Sequence, residues 1–228
     1  MLRLILGRAG TGKTALLFSE IAARCARRQS GSFLIVPEQY SHEAERELAQ
    51  RCGDTASLYA EVLSFSRLAH RVAIGCGGSA RVYIDKPGRF LQLSLALEQV
   101  GGALSVYGGS ARSPERMVQL LSALDELRFG CAAPDALRKA AESATPSLAG
   151  KLRDLALLQE ALDALSAQSG ADPAGRLDVL AEQLPGCAWL RSAKFYIDGF
   201  TDFTAQERRV IRVLLPLADV TVCLTCDD

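Results

Sequence analysis

Hydrophobic and polar positions along the chain fall into three stretches of different texture. The first begins with a short apolar run, "LRLIL", that ends at glycine; from Gly12 onward "GKTALLFSEIAARCARR" has helical periodicity. "SFLIVP" is a second, fully apolar strand closed by Pro37. "SHEAERELAQRCG" predicts a helix with Ser41 as its N-cap, acidic residues behind it and Gly53 at its end. "AEVLSFSRLAHRVA" predicts a short strand running into a helix. Strand, helix, strand, helix, strand with tight connections is the pattern of a parallel sheet with crossover helices.

After "GCGGSA" the texture changes. From about Val82 to Leu184 the chain is rich in Leu, Ala, Glu, Arg and Gln, and strand-like runs all but vanish. "FLQLSLALEQV", "PERMVQLLSALDELRF", "PDALRKAAESA" and "LAGKLRDLALLQEALDALSAQ" are helical in period, with Pro114 and Pro134 at first-turn positions. At "AKFYIDGF" an apolar β-run returns, followed by the helix "TAQERRVIRVLLPLA" and a last strand "DVTVCLTC". The fold class expected is therefore α/β: a parallel-sheet domain over 1–80 and 187–228, interrupted by an all-helical insertion over 81–186. Such sheets usually carry more strands than these runs supply, so the chain is expected to be the N-terminal part of a longer protein.

Composition narrows this picture. Apolar residues make up 49% of the 228 positions, ample for a core and unlike a disordered chain. The formal net charge is zero, which gives no overall electrostatic footprint for nucleic acid but leaves room for a local basic stripe. Seven cysteines (Cys25, Cys52, Cys76, Cys131, Cys187, Cys223 and Cys226) lack regular spacing, which argues against a disulfide framework and for a reducing compartment. Cys223 and Cys226 form a C-x-x-C without a second ligand pair, and pack more naturally as small apolar groups than as metal ligands. The apolar N-terminal run is shorter than a signal-peptide core, and no stretch approaches the ~20 apolar residues of a membrane span. A soluble, cytoplasmic protein is expected.

The chemistry is concentrated in "GRAGTGKT". Gly7, Gly12, Lys13 and Thr14 match G-x-x-x-x-G-K-[ST] in full, between an apolar strand and an amphipathic helix as the motif requires. Glycines, Gly10 among them, let the backbone curl so that successive N–H groups converge on phosphate oxygens. The helix that follows adds unpaired N–H groups and the positive end of its dipole. Lys13 reaches the β and γ phosphates, and the Thr14 hydroxyl joins a Mg²⁺ shell. ATP with Mg²⁺ is the expected ligand.

Asp198, ending the run "FYI", is the second piece: an acidic residue there holds Mg²⁺ through its water shell, unless it is only a helix cap or a surface turn. A glutamate often follows in such sites, where it helps take a proton from the attacking water. Here Gly199 follows, so hydrolysis is expected to be weak or absent. If the missing carboxylate alone limits turnover, Gly199→Glu restores it. Asp202, Gln206 and Glu207 are candidates for a displaced role, Gln206 as a sensor of the γ-phosphate. "FTAQE" also reads as a capping box with Thr204 at the N-cap and Glu207 three residues on, which is the preferred reading for Glu207.

Taken together, "GRAGTGKT", "FLIVPEQYSHEAERELAQ", "LSFSRLAHRV" and "FYIDGFTDFTAQE" resemble the AddB subunits of bacterial AddAB helicase–nucleases; their order and spacing are more specific than any one stretch except the first. The resemblance implies a RecA-like domain of the superfamily 1 helicase type (1A) interrupted by a helical subdomain (1B). The second helicase half and the nuclease with its iron–sulfur cluster are then missing from this chain. It implies an AddA-type motor subunit as partner, DNA ends as substrate, double-strand-break processing for recombinational repair, and a poor ATP engine. It also implies single-stranded DNA contacts at Gln39, Ser41, Phe65, Arg67, His70 and Phe200, where aromatics stack on bases and polar groups bond phosphates or base edges. The family often has tryptophan at the position of His70 and threonine at that of Ser41, which puts its sequence preference in doubt here. The alternatives are a free-standing P-loop kinase or NTPase with a helical lid, and a scaffold whose phosphate loop only stabilises the fold.

Overall fold

The structure, a computed structural model, describes residues 1–53, 55–75, 82–108 and 113–226. Its contacts divide it into two units, Met1–Ala80 with Leu177–Asp228, and Arg81–Arg176.

The first unit is α/β. Among the described residues, five parallel strands, β1 (Leu2–Gly7), β2 (Ser32–Ile35), β3 (Ala60–Leu63), β4 (Lys194–Ile197) and β5 (Asp219–Thr225), lie in the order β1-β5-β4-β2-β3. All four of these pairings are parallel. The apolar runs "SFLI" and "FYI" are continuous because their strands are inner ones, covered on both faces. Helices α1 (Lys13–Ala26) and α2 (Ser41–Cys52) cover one face through Leu17, Phe18, Ile21, Ala44 and Leu48, packed on Leu34, Val62, Tyr196 and Cys223. Helices α3 (Phe65–Gly75), α8 (Arg176–Gln183) and α9 (Ala205–Leu214) cover the other, with Leu68, Val72, Leu180, Val210 and Leu214 against Phe33, Ile35, Phe195, Ile197, Val220 and Val222.

The described residues of the second unit form four α-helices: α4 (Lys86–Val100), α5 (Pro114–Phe129), α6 (Pro134–Glu142) and α7 (Pro146–Ser169). Leu93, Ala96, Leu97, Leu120, Leu124, Leu137, Leu158 and Leu162 form its core. Each helix has proline at N1 or N2, where its missing N–H costs nothing. A turn over 105–107 is tied to the buried Asp154 of α7. Its Oδ1 accepts from the Ser105 N–H at 2.9 Å and the Ser105 hydroxyl at 3.1 Å. Its Oδ2 accepts from the N–H groups of Val106 and Tyr107 at 2.7 and 3.0 Å.

Three details differ from the sequence reading. The later unit boundary falls at 176/177 rather than 186/187, because Leu180, Ala181 and Leu184 pack into the sheet unit's core; the expected first boundary, after residue 80, lies outside the described residues. Ser41 is the first residue of α2, not its cap: a 3-10 turn over Glu38–Tyr40 runs straight into the helix, and Tyr40 occupies the cap position without a side-chain bond. Cys187 is disulfide-bonded, so the cysteines are not all free thiols; Cys76 lies outside the described residues.

Candidate functional site

β1 ends at Gly7, and the loop to α1 owes its shape to glycine. Gly10 and Gly12 have φ of 78° and 86°, left-handed conformations that side chains disfavour. At Gly7 the constraint is space: a Cβ there would lie 2.9 Å from the Thr11 hydroxyl oxygen. Gly12 precedes the first residue of α1, which has neither a side-chain cap nor an acidic residue in its first turn. The N–H groups and positive end of the helix therefore face the loop unneutralised. Lys13 folds back so that its ammonium donates to the Gly7 carbonyl at 2.7 Å and the Arg8 carbonyl at 2.6 Å.

Asp198 follows β4 directly. Its N–H donates to the Ile35 carbonyl at 3.0 Å, continuing the sheet ladder by one residue, and it is 9% exposed. The Thr14 hydroxyl donates to Asp198 Oδ2 at 2.6 Å. Thus the first turn of α1 and the end of β4 converge, although β5 separates β1 from β4 in the sheet. Both residues line a cavity of about 670 Å³ with Gly10, Gly12, Lys13 and Cys223. Burial, then the negative charge of Asp198, pushes the Cys223 thiol up to about 11, so it stays protonated at neutral pH and serves as packing.

These residues fit a Mg²⁺–nucleoside triphosphate. The short Thr14–Asp198 bond places a hydroxyl and a carboxylate side by side, the oxygen donors that a hard cation takes. The positions that Cβ atoms would occupy at Gly10 and Gly12 have no described atom within 4 Å, so the backbone there is open to close approach.

Gly199 is more than a missing glutamate. Its φ is 81°, and a Cβ would lie 3.3 Å from Pro37 Cδ and 3.9 Å from Tyr40 Cδ2. Any side chain at this position meets both an unfavourable backbone and the turn that follows β2.

The displaced candidates do not gather here. Gln206 is 1% exposed, its amide donating to Asp178 Oδ2 at 2.9 Å, and it is absent from the cavity wall. Glu207 forms the capping box with Thr204, its carboxylate accepting from the Thr204 N–H at 2.8 Å. Asp202 is exposed and accepts from the Phe203 N–H at 2.7 Å.

The six nucleic-acid candidates all lie at or just beyond the carboxyl ends of β2, β3 and β4, the edge from which the glycine loop also leaves β1, and where parallel sheets place ligands. Gln39, Arg67 and His70 are exposed, and Arg67 forms an ion pair with Glu45 at 2.5 Å. Phe200 is half-buried and lines the cavity; it stacks on Phe203 at 5.0 Å between centroids and meets Phe65 edge-on at 5.5 Å. Phe65 is only 4% exposed and belongs to the core, so it supports Phe200 instead of presenting a stacking face. Ser41 is likewise buried, and its hydroxyl has no partner among the described residues.

Sequence reasoning missed the far wall of the cavity, which Phe18, Tyr40, Glu43, Glu47 and Arg51 form. Glu43, Glu47 and Arg51 recur every four residues along α2, which in sequence is indistinguishable from a solvated helix face.

The family model described as "ADDB, N-terminal" matches residues 4–228. The B subunit of the ATP-dependent helicase/deoxyribonuclease of Desulforamulus reducens is 38% identical over 233 residues, covering 100% of this chain and 20% of the relative. Its namesakes from Moorella thermoacetica and Heliobacterium modesticaldum are 36% and 37% identical over 98% of the chain, and the match covers 20% and 19% of their lengths. The chain thus spans about a fifth of the curated relatives it matches.

Proposed function

Because the chain belongs to the ADDB N-terminal family, we propose that it is the nucleotide- and single-stranded-DNA-binding, helicase-like module of an AddB-type subunit, part of an ATP-dependent helicase–nuclease that processes double-strand breaks for recombinational repair. It binds ATP and hydrolyses it poorly. On this reading the sheet unit is a RecA-like domain 1A and the helical unit its 1B insertion, acting in the cytoplasm beside an AddA-type motor subunit. The five-stranded parallel sheet supports the first assignment and the all-helical core the second.

The observation that carries the proposal is the Thr14–Asp198 contact beside Gly199. Gly7, Gly10, Gly12 and the first N–H groups of α1 would hold the phosphates, with Lys13 turning from its own loop carbonyls to the β and γ oxygens. Thr14 and Asp198 would hold Mg²⁺, whose chemistry is to neutralise charge on the β and γ oxygens. Taking a proton from an attacking water is the job left without a residue. Gly199 has no carboxylate, Gln206 is tied to Asp178, and Glu207 is tied to Thr204. At the strand ends, Gln39, Arg67, His70 and Phe200 are the groups accessible to a single strand, one for stacking and three for polar contacts. The family membership favours this over a free-standing small-molecule kinase.

The test is to measure binding and turnover of ATP in one preparation of the full-length protein, with the motor subunit silenced. Saturable Mg²⁺-dependent binding with turnover far below the motor's is expected. Failure to bind, or turnover matching the motor's, would refute the proposal.

A further inference from the structure

One donor on the far wall of the cavity is engaged by no described contact. That wall is formed by Phe18, Tyr40, Glu43, Glu47 and Arg51. Glu43 and Glu47 repel the negative charge of a triphosphate. Arg51 is committed: it pairs with Glu47 at 2.6 Å and lies over the Phe18 ring, 5.5 Å from its centroid. Phe18 itself is apolar and buried. Tyr40 remains. It is 48% exposed, and its hydroxyl has no hydrogen-bond partner among the described residues.

The position of Tyr40 relative to Gly199 gives that hydroxyl a place to act. A side chain at 199 would leave the backbone toward the turn after β2. The atoms nearest its Cβ would be Pro37 Cδ at 3.3 Å, with Pro37 Cγ and Tyr40 Cδ2 at 3.9 Å. Gly199 directly follows Asp198, whose carboxylate meets the Thr14 hydroxyl where the cation and the γ oxygens fit. The space that a glutamate at 199 would enter is therefore bounded by the Tyr40 ring. A phenol brings a hydrogen-bond donor to this space, where an ionised carboxylate can only accept. The turn that carries the ring is fixed at both ends. The Tyr40 N–H donates to the Pro37 carbonyl at 2.9 Å, and the next residue, Ser41, already starts α2.

We propose that Tyr40 is the γ-phosphate ligand of this site. Its hydroxyl donates to a γ oxygen, so the cavity distinguishes a triphosphate from a diphosphate without supplying a base to an attacking water. The proposal rests on the nucleotide-binding reading above and adds to it the group that reads the third phosphate. Gln206, the candidate for that role in the sequence, is absent from the cavity wall.

Two measurements on the full-length protein test it, with the motor subunit silenced for nucleotide binding. The first compares a non-hydrolysable ATP analogue with ADP, each with Mg²⁺, by isothermal titration calorimetry. Tyr40→Phe keeps the ring against Gly199 and removes only the hydroxyl. Affinity for the ATP analogue should fall about tenfold or more, as a lost hydrogen bond to a charged group requires, while that for ADP stays within about twofold. Equal losses for both nucleotides, or no loss for either, overturn the proposal and leave nucleotide binding itself standing. No binding of either nucleotide by the unaltered protein overturns both. The second measurement needs no variant: tyrosines are nitrated and the peptides read by mass spectrometry. The ATP analogue should protect Tyr40, and ADP should not. Equal modification of Tyr40 with either nucleotide overturns the proposal, and this result decides if Tyr40→Phe does not fold.

Discussion

Thr14 and Asp198, 184 residues apart in sequence, meet in a 2.6 Å hydrogen bond that joins the first turn of α1 to the end of β4. Replacing Asp198 with alanine removes the carboxylate and leaves the Thr14 hydroxyl without its acceptor. The expected outcome is a nucleotide-induced rise in Tm that no longer depends on Mg²⁺, measured by thermal denaturation with and without chelator. Retained Mg²⁺ dependence would move the metal elsewhere.

Lys13→Ala should weaken nucleotide binding in a different way. The ammonium now donates to two loop carbonyls, an arrangement that exchanges readily for phosphate oxygens. Charge-assisted hydrogen bonds contribute roughly 1.5–3 kcal/mol, so affinity should fall about 10- to 100-fold. Titration with a fluorescent ATP analogue reads this directly, and an unchanged affinity would reduce the loop to a scaffold.

At Gly199 the structure changes the expectation. Glutamate there does not simply restore a lost base: a left-handed φ and the 3.3 Å approach to Pro37 oppose any side chain. Gly199→Glu and Gly199→Ala should both destabilise the protein by about 1–3 kcal/mol. Neither should raise ATP turnover. Turnover that rises in the glutamate variant alone would show that the missing carboxylate was the whole deficiency.

Acid should loosen the helical unit through Asp154. Burial alone would raise its pKa, but the N–H groups of Ser105, Tyr107 and Val106 and the Ser105 hydroxyl bring it below the usual aspartate value. A folded-state pKa below the unfolded one gives stability that is full above the unfolded value, near 4, and lost as pH falls through the folded one. Asp154→Asn puts an NH₂ where one oxygen accepted two bonds and should cost about 1–3 kcal/mol at neutral pH, with a flatter acid limb. Denaturant titrations at several pH values check both.

Arg67 offers a test of the strand-end surface. It is exposed, and its ion pair with Glu45 lies at the surface, so little stability should be lost on truncation. If it contacts a phosphate, Arg67→Ala lowers the slope of log affinity for single-stranded DNA against log salt by about 0.7. An unchanged slope in fluorescence anisotropy removes it from the interface.

The architecture was legible in the sequence where burial writes itself into composition. "SFLI" and "FYI" are apolar throughout because helices cover both sides, and Thr204 with Glu207 spelled out a cap that formed. The glycine loop was legible because its chemistry and its spacing are local. Ser41 was misread because a helix start that follows a 3-10 turn has no local signature. Gln206 and Asp178 come from two successive α-helices with β4 between them, and only tertiary packing pairs them. Phe65 and Phe200 look alike as letters; their exposure depends on which of them the other covers.

The pairing of β1 with β5 also sets an order of events during synthesis. The N-terminal ammonium donates to the Ala218 carbonyl, 217 residues away. During synthesis the glycine loop appears well before β5, yet the strand that carries it must wait for β5. The helices of the second unit, built from near neighbours, emerge in between and need no such wait. β1, made well before β5, is thus secured only late, and the glycine loop has no fixed base until β5 has paired with the strand that carries it.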